Sequence, residues 1–93
     1  MRGMLGFLIL FLLSKKPMHG QEIAEEIARR KGGEKPSPGT IYPALKNLRE
    51  MGFISSNDEK EGKTISYALT ERGKNALRVS KRRFIQTFLG VFP

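Results

Sequence analysis

The sequence predicts a mainly α fold with a small β-hairpin, in the order of a winged helix-turn-helix, with helices at both ends suited to joining two copies. Three observations carry this. Two stretches with apolar residues at helical spacing, from Gln21 and from Ser37, are separated by a short Gly/Pro-rich turn. Two β-type segments then bracket a polar loop between Phe53 and Leu69. Met4 to Leu13 is the most apolar part of the chain, and the last helix carries an apolar stripe with nothing left inside so small a domain to cover.

The 93 residues suffice for one domain, with a winged-helix part over about 3–70 and a C-terminal helix over about 71–91. Met4 to Leu13 is almost wholly apolar, flanked by Arg2 and by Lys15-Lys16. Ten such residues fall short of the roughly 20 that cross a bilayer, and no small-residue cleavage site follows. The segment reads as a buried helix, and the protein as cytoplasmic. Pro17 ends it, and Gly20 marks a chain reversal.

Gln21 to Lys31 forms the second helix, with Ile23, Ala24, Ile27 and Ala28 inward, acids leading and Arg29-Arg30-Lys31 closing it in accord with the helix dipole. Gly32-Gly33 supplies a left-handed stop. The third helix runs from Ser37-Pro38 to about Met51, before Gly52, around Ile41, Leu45 and Leu48. Its start has two readings: a Ser37 cap places Pro43 one turn inside the helix, whereas a Thr40 cap leaves the missing N–H of Pro43 harmless.

Phe53 to Ser56 and Thr64 to Leu69 read as strands, the second alternating Ile65, Tyr67 and Leu69 against Thr64, Ser66 and Ala68. The loop from Asn57 to Lys63 holds Gly62 and five charged residues. Thr70 caps a last helix that reaches about Gly90. Its stripe is Leu77, Phe84, Phe88 and Val91, widened by Ile85, Leu89 and Phe92 and interrupted by Lys81. So small a domain leaves that stripe uncovered unless a second copy packs on it, together with Leu5, Leu8 and Leu12 of the first helix. An amphipathic helix bearing Lys74, Arg78, Arg82 and Arg83 suits an anionic membrane as a rival, which the remaining pattern outweighs.

Charge and residue types narrow the chemistry. Seventeen Lys and Arg against nine Asp and Glu give +8, which favours a polyanionic partner. With no Cys and only His19, thiol, disulfide and multi-histidine metal chemistry fall away, and neither an acid–base set nor a Gly-rich phosphate loop is present. No enzyme, cofactor or metal is expected. His19 fits a local hydrogen-bonding or capping role at the turn.

Turning Ile41, Leu45 and Leu48 inward at 100° per residue places Gly39, Pro43, Lys46, Asn47 and Glu50 outward, with Thr40, Tyr42 and Arg49 on the flanks. An α-helix fits the major groove of B-DNA, where Lys46 can engage phosphate or guanine and Asn47 can bond adenine. Gly39 and Pro43 keep bulk away from the groove. On the hairpin Lys60 and Lys63 are candidate phosphate contacts among three acids.

The ordered motifs Pro17-Met18-His19-Gly20, Ser37-Pro38-Gly39-Thr40-Ile41-Tyr42-Pro43-Ala44-Leu45-Lys46-Asn47-Leu48 with Gly52, and Tyr67-Ala68-Leu69-Thr70 with Gly73 resemble the PadR family of transcriptional regulators, in its short type. The similarity spans roughly Leu5 to Leu77. It implies a dimeric winged-helix repressor in which Tyr42 and its neighbours meet the phosphate backbone and the terminal helices build the dimer. Gln21 stands where the family usually has an aromatic, and with no Trp a tryptophan-lined drug pocket is not implied.

The sequence therefore predicts a homodimer on a pseudo-palindromic stretch of double-stranded DNA, with Ser37, Gly39, Thr40, Tyr42, Pro43, Lys46, Asn47, Lys60 and Lys63 in contact. Apolar space between the first and last helices offers room for a small apolar effector ligand. A winged-helix protein–protein interaction module without specific DNA binding is the alternative.

Overall fold

The computed structural model describes residues 3–58 and 64–90, and their order is helix, strand, two helices, two strands, helix. The elements are α1 (Gly3–Leu13), β1 (Met18–His19), α2 (Gly20–Lys31), α3 (Pro38–Glu50), β2 (Ile54–Asp58), β3 (Ile65–Leu69) and α4 (Glu71–Leu89). The fold is mainly helical, a winged helix with a small antiparallel sheet.

Local chemistry sets the helix ends. Gly32 closes α2 at φ 67°, and its N–H donates to the Ala28 carbonyl. Thr70 starts α4: its Oγ accepts from the Gly73 N–H at 3.0 Å and donates to the Gly52 carbonyl at 2.6 Å, so one hydroxyl fastens the helix to the turn after α3. Ser37 is the N-cap residue of α3, with Pro38 at its first position, which decides between the two readings of that start. Pro43 consequently lies within α3 and cannot donate to the Gly39 carbonyl.

The sheet order is β1-β3-β2, both pairings antiparallel, with Met18 opposite Tyr67 and Ile54 opposite Leu69. Two residues too short to show any alternation thus form a strand that the sequence does not announce. Gly20, expected at a turn, is already helical, with His19 as the N-cap residue of α2. Its backbone N–H donates to Glu22 Oε1 at 2.8 Å. Strand β2 extends to Asp58, past the expected end at Ser56.

The core joins Ile9, Leu10, Leu12 and Leu13 of α1 to Ile23 and Ile27 of α2, the Ile41/Leu45/Leu48 stripe of α3, and Ile54, Tyr67 and Leu77. This corrects two sequence expectations. Leu12 and Leu77, assigned to contact between copies, are covered by their own chain, because α1 lies across the body and the first turns of α4 close over it. Ile65, in the same alternation as Tyr67 and Leu69, is nevertheless exposed at the first position of β3.

Beyond Leu77, α4 continues beside α1 with no residue buried. Only Gly73 and Leu77 are buried on its 19 residues, and the molecule measures 51 × 30 × 20 Å. The Phe7 ring stacks on Phe84 at 6.3 Å, and Phe84 meets Phe88 at 4.5 Å. Lys81, which interrupts the stripe, reaches over the Phe11 ring, with Nζ 5.8 Å from its centre. No helix of the described residues is long and apolar enough to cross a membrane.

Candidate nucleic-acid interface

Helix α3 buries Ile41, Leu45 and Leu48 and turns the rest of its surface outward. Ser37, Gly39, Thr40, Tyr42, Pro43, Lys46 and Asn47 are all exposed, along with Arg49 and Glu50. The seven candidates expected on this helix thus share one accessible side of it. Lys60 and Lys63, the two expected on the hairpin, lie outside the described residues.

The near end of that surface is almost bare of side chain. A Cβ on Gly39 would meet only Ser37 Oγ, 3.8 Å away, so packing within the chain does not demand a glycine there. The glycine instead keeps the surface flat, and the positive end of the helix dipole favours an anion. The Ser37 and Thr40 hydroxyls lie 3.3 Å apart and can donate to or accept from a ligand. Nearly two turns later Lys46 brings a cation and Asn47 a paired donor and acceptor. Among the described residues neither side chain has a hydrogen-bond or ion-pair partner within the chain, so both are free to engage a ligand.

The helix is held at both ends. Arg49 donates to the Ser56 hydroxyl at 3.2 Å, tying the last turn of α3 to β2. At the other end the Tyr42 ring leaves the α3 surface to lie against Gly20, the first residue of α2. Sequence reading found Tyr42 but neither of these contacts; the Ser56 hydroxyl on an otherwise β-type segment was the one available sign of the first. His19, beside that seat, has its Nδ1 buried without a hydrogen-bond partner among the described residues.

On α2, Glu26 takes the Arg29 guanidinium at 2.6 Å and Arg30 at 3.3 Å. Hydrogen bonding from Arg29 holds the Glu26 carboxyl below the usual glutamate range, and the same bond raises Arg29. These pairs occupy the far end of α2, away from Gly20. Among the described residues no group of His, Asp or Glu side chains could hold a metal ion.

Residues 9–79, from α1 through the first turns of α4, match the transcriptional regulator PadR-like family. The chain belongs to this family. Among its relatives is the transcriptional regulator YqjI of Escherichia coli, 38% identical over 82 residues. The match takes in 87% of this chain and 39% of YqjI, so the chain spans well under half the length of that relative. A PadR family transcription regulator from Clostridium difficile shares the fold with a TM-score of 0.75 at 33% identity, covering 95% of this chain and 96% of that one. RosR of H. salinarum superposes with a TM-score of 0.81 at 26% identity, over 94% of this chain and 77% of its own. The PadR-like match contains the whole of α3, including every helix residue named above as a candidate contact.

Proposed function

We propose that this chain is a sequence-specific, double-stranded-DNA-binding regulator of transcription that acts as a homodimeric repressor. Helix α3 enters the major groove, Lys46 and Asn47 read base edges, and Ser37, Thr40 and Tyr42 meet phosphate. The hairpin follows the backbone through Lys60 and Lys63. The observation that carries this reading is the outward side of α3, flat at Gly39 and Pro43, open at Lys46 and Asn47, and anchored to β2 by Arg49. Membership of a family of transcriptional regulators supports it.

Dimerisation supplies the second recognition helix. Phe84, Ile85, Phe88 and Leu89 project from α4 with 45, 50, 69 and 70% of their surface exposed, beside Met4 at 52%. So much contiguous apolar surface on a small charged protein favours a second copy as its cover. Leu5, Leu8, Phe84 and Phe88 serve this contact in the proposal, with Val91 continuing it outside the described residues. Two copies would set their α3 helices about one DNA turn, roughly 34–36 Å, apart on a pseudo-palindrome. A cleft between α1 and α4, lined by Met4, Phe7, Phe84 and Phe88 with Arg83 at its edge, is the place for a small apolar effector.

Selection of bound sequences from a random duplex pool, followed by fluorescence anisotropy on the winner, tests the reading. With 6–10 phosphates neutralised per dimer, affinity falls by roughly a thousandfold or more between 50 and 200 mM salt. Failure to enrich any sequence, or an affinity indifferent to salt, favours a protein-binding module instead.

A further inference from the structure

Gly20 is a buried glycine in the first turn of a helix, and its backbone has no positive φ to explain it. Gly32, Gly52 and Gly90 do have positive φ, where a side chain is strained. Glycine is also a poor helix former, so an unforced one in α2 calls for a reason of space. That reason is Tyr42: a Cβ on Gly20 would stand 2.7 Å from its Cε1, 2.8 Å from its hydroxyl oxygen and 2.9 Å from its Cζ.

The nature of the neighbour decides what a Cβ would disturb. At Gly73 the nearest obstructing atom is the Phe53 carbonyl oxygen, with Leu69 Cδ1 and the Phe53 carbonyl carbon behind it, and that backbone cannot yield without moving the chain. At Gly20 all three are the far end of one side chain, and that side chain is 45% exposed and free to swing outward. Hollows open on both sides of the ring, one toward Ala24 and Pro38, the other toward Thr64 and Ile65. Filling the space at Gly20 therefore moves Tyr42 and leaves the fold intact.

We propose that Gly20 is a positioning residue for DNA binding: the absence of its side chain forms the seat that holds the Tyr42 ring, and so fixes where the Tyr42 hydroxyl is presented to the phosphate backbone. The inference rests on the DNA-binding reading for its consequence, but the seat itself is a property of the free protein. Gly20 acts only through Tyr42. Its effect disappears when Tyr42 is gone.

The experiment compares the full chain with Gly20→Ala, Tyr42→Ala and the double variant. Gly20→Ala is expected to lower affinity for the selected duplex by about tenfold, the loss of one charge-assisted hydrogen bond, with its thermal midpoint unchanged. In the Tyr42→Ala background the same substitution changes affinity less than about twofold, as expected for two sites that act as one. Ring resonances of the two tyrosines read the seat without DNA: Tyr42 shifts on Gly20→Ala while buried Tyr67 serves as the internal reference. An unmoved Tyr42 resonance overturns the seat, and equal losses in both backgrounds overturn action through Tyr42. If the ring moves but the wild-type chain binds no duplex, the seat stands and the DNA-binding reading is what fails.

Discussion

The carbonyl oxygen of Phe53 occupies the space that a side chain on Gly73 would need. The same oxygen accepts the Thr70 N–H at 3.1 Å, so the entry to the hairpin and the first turn of α4 meet backbone to backbone. Gly73→Ala is expected to destabilise the chain by about 1–3 kcal/mol, the cost of forcing extra volume into a packed site. Urea denaturation measures it. A midpoint equal to wild type would mean that α4 shifts freely on the sheet.

The proposed base reading by α3 separates from the proposed backbone contact by substitution. Lys46→Ala and Asn47→Ala are each expected to cost about 1–3 kcal/mol on the selected duplex and to relax preference at one base position. Lys63→Ala is expected to weaken all duplexes alike and to lower the salt slope by about one. Anisotropy titrations against single-base variants of the duplex check both. Uniform weakening by Asn47→Ala would remove it from base recognition.

The two apolar regions of α4 respond differently to substitution. Phe84→Asp combined with Phe88→Asp is expected to yield folded monomers, seen by sedimentation as half the wild-type mass and accompanied by loss of duplex binding. Leu77→Ala instead hollows the chain's own core, with an expected cost of about 2–5 kcal/mol. An unchanged mass for the double aspartate variant would overturn the proposed subunit contact on α4.

Glu26 gives a pH signature. Its carboxyl titrates below the ordinary glutamate value because Arg29, then Arg30, favour the charged form. The folded pKa lies beneath the unfolded one, so the contribution to stability is complete above the unfolded value and disappears as pH falls through the folded one. Both partners face water, so the gain is small and weakens with salt. A carboxyl ¹³C titration is expected to show a depressed midpoint for Glu26, rising toward the ordinary value in Arg29→Ala. An unmoved midpoint would show that the pair does not persist in solution.

Much of this architecture is legible in the sequence because its determinants are local. Thr70, Gly32 and Pro38 mark helix ends by cap chemistry that needs no distant partner. The Ile41, Leu45 and Leu48 stripe fixes which side of α3 is buried, and hence which side carries Lys46 and Asn47. Features that depend on distant parts of the chain were not legible. Met18 and His19 become a strand only because Tyr67 and Ser66 lie opposite them. Leu12 and Leu77 look like their uncovered neighbours in a periodic pattern, since periodicity tells which side is apolar but not how far the body extends to cover it. Gly20 reads as a turn until Tyr42, more than twenty residues later, is seen to need its space.

The sheet order has a further consequence, for solubility. Placing β3 in the middle satisfies it on both sides and leaves β2 as a long outer strand, where unpaired amides invite another chain to add on. Four of the five β2 residues are Ser55, Ser56, Asn57 and Asp58, a polar and partly acidic row with little tendency to zip against a neighbour. That edge thus carries its own guard against fibrillar stacking.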